Sequence, residues 1–292
     1  MTSATPPDPA AALAAAVKVA ASLGLPVAAP QILADGANIV IHLAPAPVVA
    51  KVAASTAAVR PGGAAGLQRE LDLAAFLTAA GAPVMAPSPE VAPEVHHADG
   101  QLMSFWTYLL PPSGARPRPT EATIGSMLRD LHAILRTCPG HDPVLTPLAD
   151  IPAYLTRPQT HLPPGRPEAL AAAYSRLTGE LTRDPAPLQQ LHGDAGGGNL
   201  MATERGWVWH DFEDTCSGPV AWDLAASTAS QSHDADRVLA AYGEPVDPHQ
   251  LATCEQLRRL HLTVWYSLYA ERLPDLRPRA TDLLTQWPAP TS

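Results

Sequence analysis

One stretch of the chain, Gln190–Leu224, constrains the fold and the function more than any other part of the sequence. It reads QLHGDAGGGNLMATERGWVWHDFEDTCSGPVAWDL, so that Asp194 is followed five residues later by Asn199. A short turn then leads into an apolar run and on to Asp211. The three glycines before Asn199 allow the close backbone turns that a tight loop needs. The stretch therefore predicts a polar loop, a β-hairpin and a second carboxylate just beyond the hairpin.

Carboxylate and amide side chains in this order suit phosphoryl transfer. In that reaction one carboxylate orients a substrate hydroxyl and accepts its proton, while other groups hold Mg²⁺ against the nucleotide phosphates. Asp194 is the candidate for the first task, and Asn199 and Asp211 are the candidate magnesium ligands. Because Mg²⁺ prefers hard oxygen ligands and takes few of them from protein, one amide and one carboxylate suffice. The alternative is a turn with surface carboxylates, since Asp and Asn are common in turns for backbone reasons.

Three segments of this stretch together resemble the family of aminoglycoside phosphotransferases and choline kinases, which shares the protein-kinase fold. They are HGDAGGGN at 192–199, HDFED at 210–214 and GPVAWDLA at 218–225. A looser order of elements extends over most of the chain. The resemblance implies a two-lobed α+β fold, with a small β-rich nucleotide-binding lobe at 1–108 that carries one main helix. The larger, mostly helical lobe at 109–292 would carry catalysis and substrate binding.

Lys51 lies inside a predicted apolar strand, Val48–Ala53, and is one of only two lysines in the chain. The resemblance implies that it grips the nucleotide phosphates and is held by a carboxylate on the next predicted helix, at 64–80. Glu70 is our candidate for that carboxylate, with Asp72 as the competitor. We expect the pair to be partly exposed and to contribute little to stability. Alternatively, Lys51 faces solvent and packs only its aliphatic stem on the strand.

A further predicted strand at 101–110 is apolar and is followed by two prolines. In the family, the two lobes join at this point and the backbone of the hinge binds the adenine ring. The resemblance therefore names the Thr107 carbonyl and the Leu109 amide as nucleotide contacts, with Trp106 at the back of the pocket. An apolar core strand would have the same sequence pattern.

Two residues are predicted to support the loop that carries Asp194. The resemblance implies that His192 shapes the loop by hydrogen bonding and that Asp223 accepts its backbone amides. Glu213 and Asp214 follow the metal aspartate and could serve a second metal, a cationic substrate or a helix N-terminus. Gly193 stands where protein kinases carry an arginine, and Glu213 replaces the glycine of their DFG motif. These departures resemble small-molecule kinases.

Periodicity and turn signals predict the other elements. His96 and His97 are adjacent and are interpreted as turn residues. The predicted elements are two strands within 31–43, a strand at 90–97 that pairs with 101–110, helices at 10–23, 121–135 (capped by Thr120), 168–181, 234–242, 251–272 and 281–287, and an irregular stretch at 138–167.

These observations predict an ATP- or GTP-dependent phosphotransferase that uses Mg²⁺ to move the γ-phosphate to a hydroxyl of a small molecule. An antibiotic such as an aminoglycoside, with a role in antibiotic resistance, competes as acceptor with a metabolite such as choline, an amino alcohol or a sugar. A kinase-like binding module without turnover is the other class, and the presence of all four polar residues, Lys51, Asp194, Asn199 and Asp211, favours the enzyme. The P-loop, dinucleotide-binding and serine-hydrolase motifs are absent from the sequence.

Composition limits the partners and the location. A formal net charge of −9 argues against a nucleic-acid partner held by phosphate contacts. No stretch approaches about 18 strongly apolar residues, so no membrane association through a spanning helix is expected. Cys138, Cys216 and Cys254 are far apart and form no CxxC pair, which predicts a reducing, cytoplasmic environment. The expected partner is a small hydroxylated substrate, and the expected chain is a monomer or a homodimer.

Overall fold

The chain divides into two compact units when its residues are grouped by their contacts. The first unit is Met1–Pro117 with Leu200–Glu213, and the second is Arg118–Asn199 with Asp214–Ser292. The expected lobe boundary near residue 108 stays a prediction. A computed structural model describes residues 8–54, 60, 63–114, 117–139, 144–157, 162–183, 186–229 and 233–288.

A five-stranded antiparallel sheet forms the body of the first unit. Its strands, numbered in chain order over the whole molecule, are β1 (Gln31–Asp35), β2 (Asn38–His42), β3 (Val48–Ala53), β4 (His96–Ala98) and β5 (Gln101–Thr107). They lie in the order β1-β2-β3-β5-β4, so that β3 is central and every one of its residues is buried. The register sets Lys51 opposite Val40 on one side and Ser104 on the other.

Two helices complete the core of the first unit. Helix α1 (Pro9–Ser22) buries a stripe of alanines against the sheet, because residues three and four apart lie on one face of a helix. Helix α2 (Gly63–Ala79) buries Leu67, Leu71 and Leu77, and on the same side it also buries Glu70. A carboxylate on the apolar side of a helix requires a partner, and the sheet supplies it.

A separate hairpin, β7 (Leu200–Thr203) and β8 (Gly206–Trp209), also belongs to the first unit. The Met85 amide donates to the Trp209 carbonyl at 2.8 Å, and the Trp209 amide donates to the Pro83 carbonyl at 2.9 Å. These backbone bonds fix the end of β8, and therefore fix the start of the segment that carries Asp211.

The second unit is mainly helical and contains one small antiparallel sheet, β6 (Gln189–Leu191) with β9 (Cys216–Gly218). Its longest helix, α8, packs against α4, α5, α6 and α9. Among the residues that the model describes, no helix is long and apolar enough to cross a bilayer. The helices are α3 (Glu121–Leu135), α4 (Asp150–Leu155), α5 (Arg166–Arg183), α6 (Val220–Thr228), α7 (Ala235–Tyr242), α8 (Pro248–Arg272) and α9 (Arg277–Thr285).

The mixed α+β class predicted from the sequence is confirmed, and several elements have the expected bounds. Strand β3 and helix α3 match their predicted ranges, and the Thr120 hydroxyl accepts the Thr123 amide at 3.2 Å as the predicted N-cap. The interpretation of His96 and His97 as turn residues is wrong, because both lie in β4. The turn is confined to Asp99 and Gly100, which both have positive φ.

The stretch at 138–167, expected to be irregular, contains a 3-10 helix at Thr146–Ala149 followed directly by α4. Prolines suggested an irregular chain there. Pro147 and Pro152, however, lie in the first turn of their respective helices, where the backbone amide has no partner within the helix and its loss costs little.

Two helical glycines give a matched test of packing between α3 and α7. A β-carbon on Gly125 would overlap the Val238 carbonyl and lie 2.7 Å from Ala241 Cβ, whereas one on Gly179 in α5 would meet nothing within 4 Å. We expect Gly125→Ala to reduce the free energy of unfolding by about 1–3 kcal/mol through overpacking. Gly179→Ala should increase it by up to about 1 kcal/mol, since alanine is the better helix former. Urea unfolding of both variants checks this, and equal effects would contradict the close approach of α3 and α7.

Candidate active site

The loop that carries Asp194 is shaped by a buried carboxylate in the first turn of α6. Asp223 Oδ2 accepts the His192 amide at 2.9 Å, and Asp223 Oδ1 accepts the Gly193 amide at 2.8 Å. Both backbone amides therefore donate to one side chain, which is fully buried. This arrangement turns the chain sharply just before Asp194.

Two histidines keep that carboxylate ionised, and a tyrosine contacts one of them. His132 Nε2 lies 3.1 Å from Asp223 Oδ2, and His132 Nδ1 lies 2.9 Å from the Tyr242 hydroxyl. Burial alone would raise the pKa of Asp223, but the hydrogen bond and charge of His132, together with His192, lower it below its usual value. Burial, with Glu244 nearby, raises the pKa of Tyr242 to about 12, so its hydroxyl stays protonated beside His132.

Gly193 can only be glycine in this loop. Its φ is 90°, in the left-handed region, and a β-carbon there would overlap the Asp214 carbonyl and lie 2.9 Å from Asp214 Cβ. The Gly193 carbonyl in turn accepts the Trp222 indole N–H at 2.9 Å. The arginine that protein kinases carry at this point is therefore excluded by sterics as well as by backbone conformation.

Asp194 presents a carboxylate whose side chain is 40% exposed. The Asn199 amide nitrogen donates to the Asp194 carbonyl at 2.7 Å and to Asp194 Oδ2 at 3.0 Å. With its nitrogen engaged in this way, Asn199 offers its side-chain oxygen, the hard donor that Mg²⁺ prefers. The donor chemistry of Asn199 therefore fits its predicted role as a magnesium ligand.

A residue that the sequence analysis missed, Arg258 on α8, pairs with Asp194 Oδ1. The sequence did contain a signal for it. Leu251, Cys254 and Trp265 recur at helical spacing around Arg258, which indicates that the arginine lies on the apolar face of the helix, and in the structure it is buried. A buried arginine requires a partner, and that requirement marks it as a residue of interest.

In the first unit, Lys51 and Glu70 lie together. Lys51 Nζ donates to the two Glu70 oxygens at 2.8 and 3.0 Å. The competitor, Asp72, accepts from Gln68 at 2.9 Å on the exposed side of α2. The expectation of a partly exposed ion pair is wrong, because Lys51 keeps only 7% and Glu70 only 1% of its surface exposed. Strand β3 is central in the sheet, so its lysine has no route to solvent along the strand.

Two further carboxylates from the segment after β8 surround the same lysine. Asp211 Oδ1 lies 2.6 Å and Glu213 Oε2 lies 3.3 Å from Lys51 Nζ. Glu213 Oε2 also accepts a hydrogen bond from the side-chain amide of Asn38 at 2.6 Å, and Glu213 Oε1 lies 3.4 Å from Arg60 Nη1. Glu213 is thus engaged within the first unit, and its role toward a second metal or a substrate stays a prediction.

The charges of this cluster shift the titration of both partners. Burial alone would lower the pKa of Lys51, but Asp211, Glu70 and Glu213 more than offset it, so the pKa lies well above its ordinary value. Burial raises the pKa of Glu70 to about 7. Asp211 and Glu213 add to this rise, and Lys51 opposes it. One lysine is therefore shared by more carboxylates than it can neutralise.

Asp211 has an unusual backbone for a residue with a side chain. Its φ is 63°, in the left-handed region that aspartate tolerates better than most residues, and its side chain is 39% exposed. Asp214 ends the 3-10 turn that follows and is half-buried. Among the described residues, no three His, Cys, Asp or Glu side chains form a cluster that could hold a metal ion alone. The assignment of Asn199 and Asp211 as magnesium ligands stays a prediction.

The residues predicted to contact the nucleotide base lie at the end of β5. Trp106 is buried and its indole N–H donates to the Ser104 hydroxyl at 2.8 Å. The Thr107 amide donates to the Ala86 carbonyl at 3.0 Å, and Leu109 is half-buried just beyond the strand. Their contacts with a nucleotide stay predictions.

The α+β architecture, the lysine–glutamate pair on β3 and α2 and the braced aspartate loop together define a protein-kinase-like phosphotransferase. The chain belongs to the phosphotransferase enzyme family, whose model matches residues 57–254. This assignment confirms the predicted resemblance to aminoglycoside and choline kinases and the predicted enzyme class, a small-molecule kinase.

Solved structures share the fold at low sequence identity. An amicoumacin kinase in complex with AMP-PNP, Ca²⁺ and amicoumacin is 14% identical, with 94% of each chain covered and a TM-score of 0.67. The choline kinase LicA from Streptococcus pneumoniae is 16% identical, with 94% of this chain and 99% of that chain covered and a TM-score of 0.63. A GDP complex of an aminoglycoside 2′-phosphotransferase is 14% identical, with 93% and 96% covered and a TM-score of 0.59. The search of curated proteins returned no match.

The burial of Lys51 predicts a clear stability effect. Lys51→Ala should reduce the free energy of unfolding by about 3–5 kcal/mol, because it leaves buried carboxylates without their cation. The other lysine supplies the control: Lys18 pairs with Asp99 at an exposed site, with 65% and 53% of the two side chains exposed. Lys18→Ala should therefore change stability by at most about 1 kcal/mol. Denaturant unfolding of both variants measures the contrast, and similar small losses would mean that the Lys51 site is solvated.

The raised pKa of Glu70 predicts a pH dependence of stability. The carboxyl titrates near 4.5 in the unfolded chain and near 7 in the folded protein, so the folded state binds the proton more tightly. The contribution of Glu70 to the free energy of unfolding is therefore fully present below pH 4.5 and is lost as the pH rises through 7. Glu70→Gln keeps the side chain neutral throughout.

The free energy of unfolding of the wild type, minus that of Glu70→Gln, should consequently fall between pH 4.5 and 7 and be level above that range. Unfolding curves collected across this range give the difference directly. A difference that rises with pH would show that the ion pair with Lys51 outweighs the burial of Glu70.

Proposed function

We propose that this protein transfers the γ-phosphate of ATP or GTP to a hydroxyl of a small molecule, with Mg²⁺ as the cofactor. The observation that carries the proposal is the Asp194 loop. Buried Asp223 fixes its backbone, Asn199 engages one oxygen of the Asp194 carboxylate, and that carboxylate remains partly open to solvent. A carboxylate held in this way can orient an acceptor hydroxyl and take its proton.

The remaining roles follow from the chemistry of phosphoryl transfer. Mg²⁺, held by Asn199 and Asp211, would neutralise charge on the nucleotide phosphates. Lys51 would contact the phosphates, and its carboxylate partner Glu70 would keep the ammonium group in place. Trp106, Thr107 and Leu109 would contact the base. The nucleotides bound in the two relatives, AMP-PNP and GDP, support nucleotide binding and keep both ATP and GTP as candidates.

The acceptor is proposed as a hydroxylated amine. An antibiotic such as an aminoglycoside is the first candidate, since two of the similar structures are an amicoumacin kinase and an aminoglycoside phosphotransferase. A role in antibiotic resistance would follow. Choline or another amino alcohol is the second, since a choline kinase shares the fold over nearly its full length. The three cysteines favour the cytoplasm as the place where the reaction occurs.

An acceptor screen tests the proposal. ADP or GDP release is measured with Mg²⁺ and either nucleotide, in the presence of kanamycin, choline, ethanolamine or a simple sugar. Release that depends on one acceptor and is lost in Asp194→Asn would support phosphotransfer and would name the substrate class. Nucleotide binding without release for any acceptor would favour a binding module.

Replacing Asp194 or Asp211 by asparagine should affect turnover and nucleotide affinity differently. Asp194→Asn keeps the shape of the side chain but loses its charge and proton acceptor, so turnover should drop by about 10²–10⁴-fold with nucleotide affinity nearly unchanged. Asp211→Asn removes a negative charge that would face Mg²⁺, so it should weaken metal-dependent nucleotide binding as well as the rate. Calorimetric nucleotide titrations and single-turnover rates separate the two effects.

Thermal unfolding of both variants serves as the control for this comparison. A merely structural aspartate would lower stability without separating binding from turnover. The roles would be wrong if Asp194→Asn kept a near wild-type rate, or if Asp211→Asn bound Mg²⁺-nucleotide normally.

A further inference from the structure

Arg258 is a buried cation whose observed partners all belong to the Asp194 loop or to the helix that braces it. Only 3% of its surface is exposed. Its Nη1 donates to the Gly193 carbonyl at 3.1 Å, and its Nη2 pairs with Asp194 Oδ1. The guanidinium carbon lies 5.0 Å from the centre of the Trp222 ring, in a cation–π contact. Arg258 therefore links helix α8 to the Asp194 loop and to Trp222 of α6.

The guanidinium completes a clamp on the Asp194 carboxylate. Oδ1 is held by Arg258 from α8, and Oδ2 is held by Asn199 from within the loop, at 3.0 Å. Donors on both oxygens restrict rotation of a side chain that is otherwise 40% exposed. Each carboxylate oxygen has two lone pairs, so both oxygens keep capacity for an acceptor hydroxyl. The acceptor would therefore meet a carboxylate that is already oriented.

The shape of the group explains why an arginine occupies this position. A planar guanidinium can donate to the Gly193 carbonyl and the Asp194 carboxylate at once while stacking on Trp222, whereas the single nitrogen of a lysine cannot reproduce this arrangement. Position 193 of the loop cannot supply such a group, since no side chain fits there. The long helix α8 supplies it from 64 residues further along the chain.

We propose that Arg258 is a positioning residue for phosphoryl transfer, which holds the Asp194 carboxylate in the orientation that the acceptor hydroxyl needs. This inference rests on the proposed function of Asp194. It differs from a purely structural brace in one respect: Arg258 acts on the rate through Asp194, so its effect depends on the presence of that carboxylate.

A double-mutant cycle tests this dependence. Arg258→Lys, Asp194→Asn and the double variant are compared in steady-state reactions with Mg²⁺-ATP and the acceptor found in the screen, or with water as acceptor if only hydrolysis is measurable. Arg258→Lys alone should lower kcat by about 10²-fold with the KM for ATP nearly unchanged, since a misplaced reacting group can cost that much. In the Asp194→Asn background the same change should cost nothing further.

Two additional variants keep the test decisive. Arg259→Lys is the matched control, because Arg259 is the neighbouring arginine on α8, its side chain is 43% exposed and it pairs with Glu255; this variant should keep full activity. Arg258→Ala should regain part of its rate when millimolar guanidinium is added, while Arg259→Ala should not respond. Nucleotide titration of each variant verifies that it is folded.

The inference is overturned if Arg258→Lys keeps the wild-type kcat, or if its loss multiplies with that of Asp194→Asn. Either result, with an active wild type, leaves the proposed function intact and removes only the role of Arg258. A wild type that neither binds nucleotide nor releases ADP would overturn both.

Discussion

The buried carboxylate of Asp223 is the interaction on which the geometry of the second unit depends. Two consecutive backbone amides, those of His192 and Gly193, donate to its two oxygens. Consecutive amides can converge on one side chain only when the chain turns sharply, and that turn presents Asp194 to solvent. The carboxylate stays charged without solvent because His132 offsets the cost of burial. The loop is therefore held mainly by electrostatics.

In the first unit, the buried charge is the ammonium group of Lys51, and several carboxylates stabilise it. Lys51 is buried among Glu70, Asp211 and Glu213, an arrangement that packing of apolar residues would not need. Burial, with Asp211 and Glu213 adding to its effect, raises the pKa of Glu70 to about 7, while the carboxylates keep Lys51 charged. A cluster with an excess of negative charge suits a site that binds a cation. The same pattern appears at Arg258, where a buried cation serves one carboxylate.

Local sequence signals sufficed for several elements of the fold. Strand β3 and helix α3 could be predicted because strand-forming and helix-forming patterns are local, and the spacing of Asp194 and Asn199 is set by one short loop. Contacts between distant residues could not be predicted. The pairs Arg258–Asp194 and Asn38–Glu213 join residues 64 and 175 positions apart. The burial of Lys51 depends on the order of strands, which puts β3 at the centre of the sheet.

The most direct test of the account is calorimetric titration of the wild-type protein with AMP-PNP and with GDP, each in the presence and absence of Mg²⁺. Asn199 and Asp211 are proposed to hold the metal and Lys51 is proposed to contact the phosphates, so the account predicts saturable binding that becomes clearly tighter when Mg²⁺ is added. Absence of saturable binding for both nucleotides, with and without Mg²⁺, would contradict it.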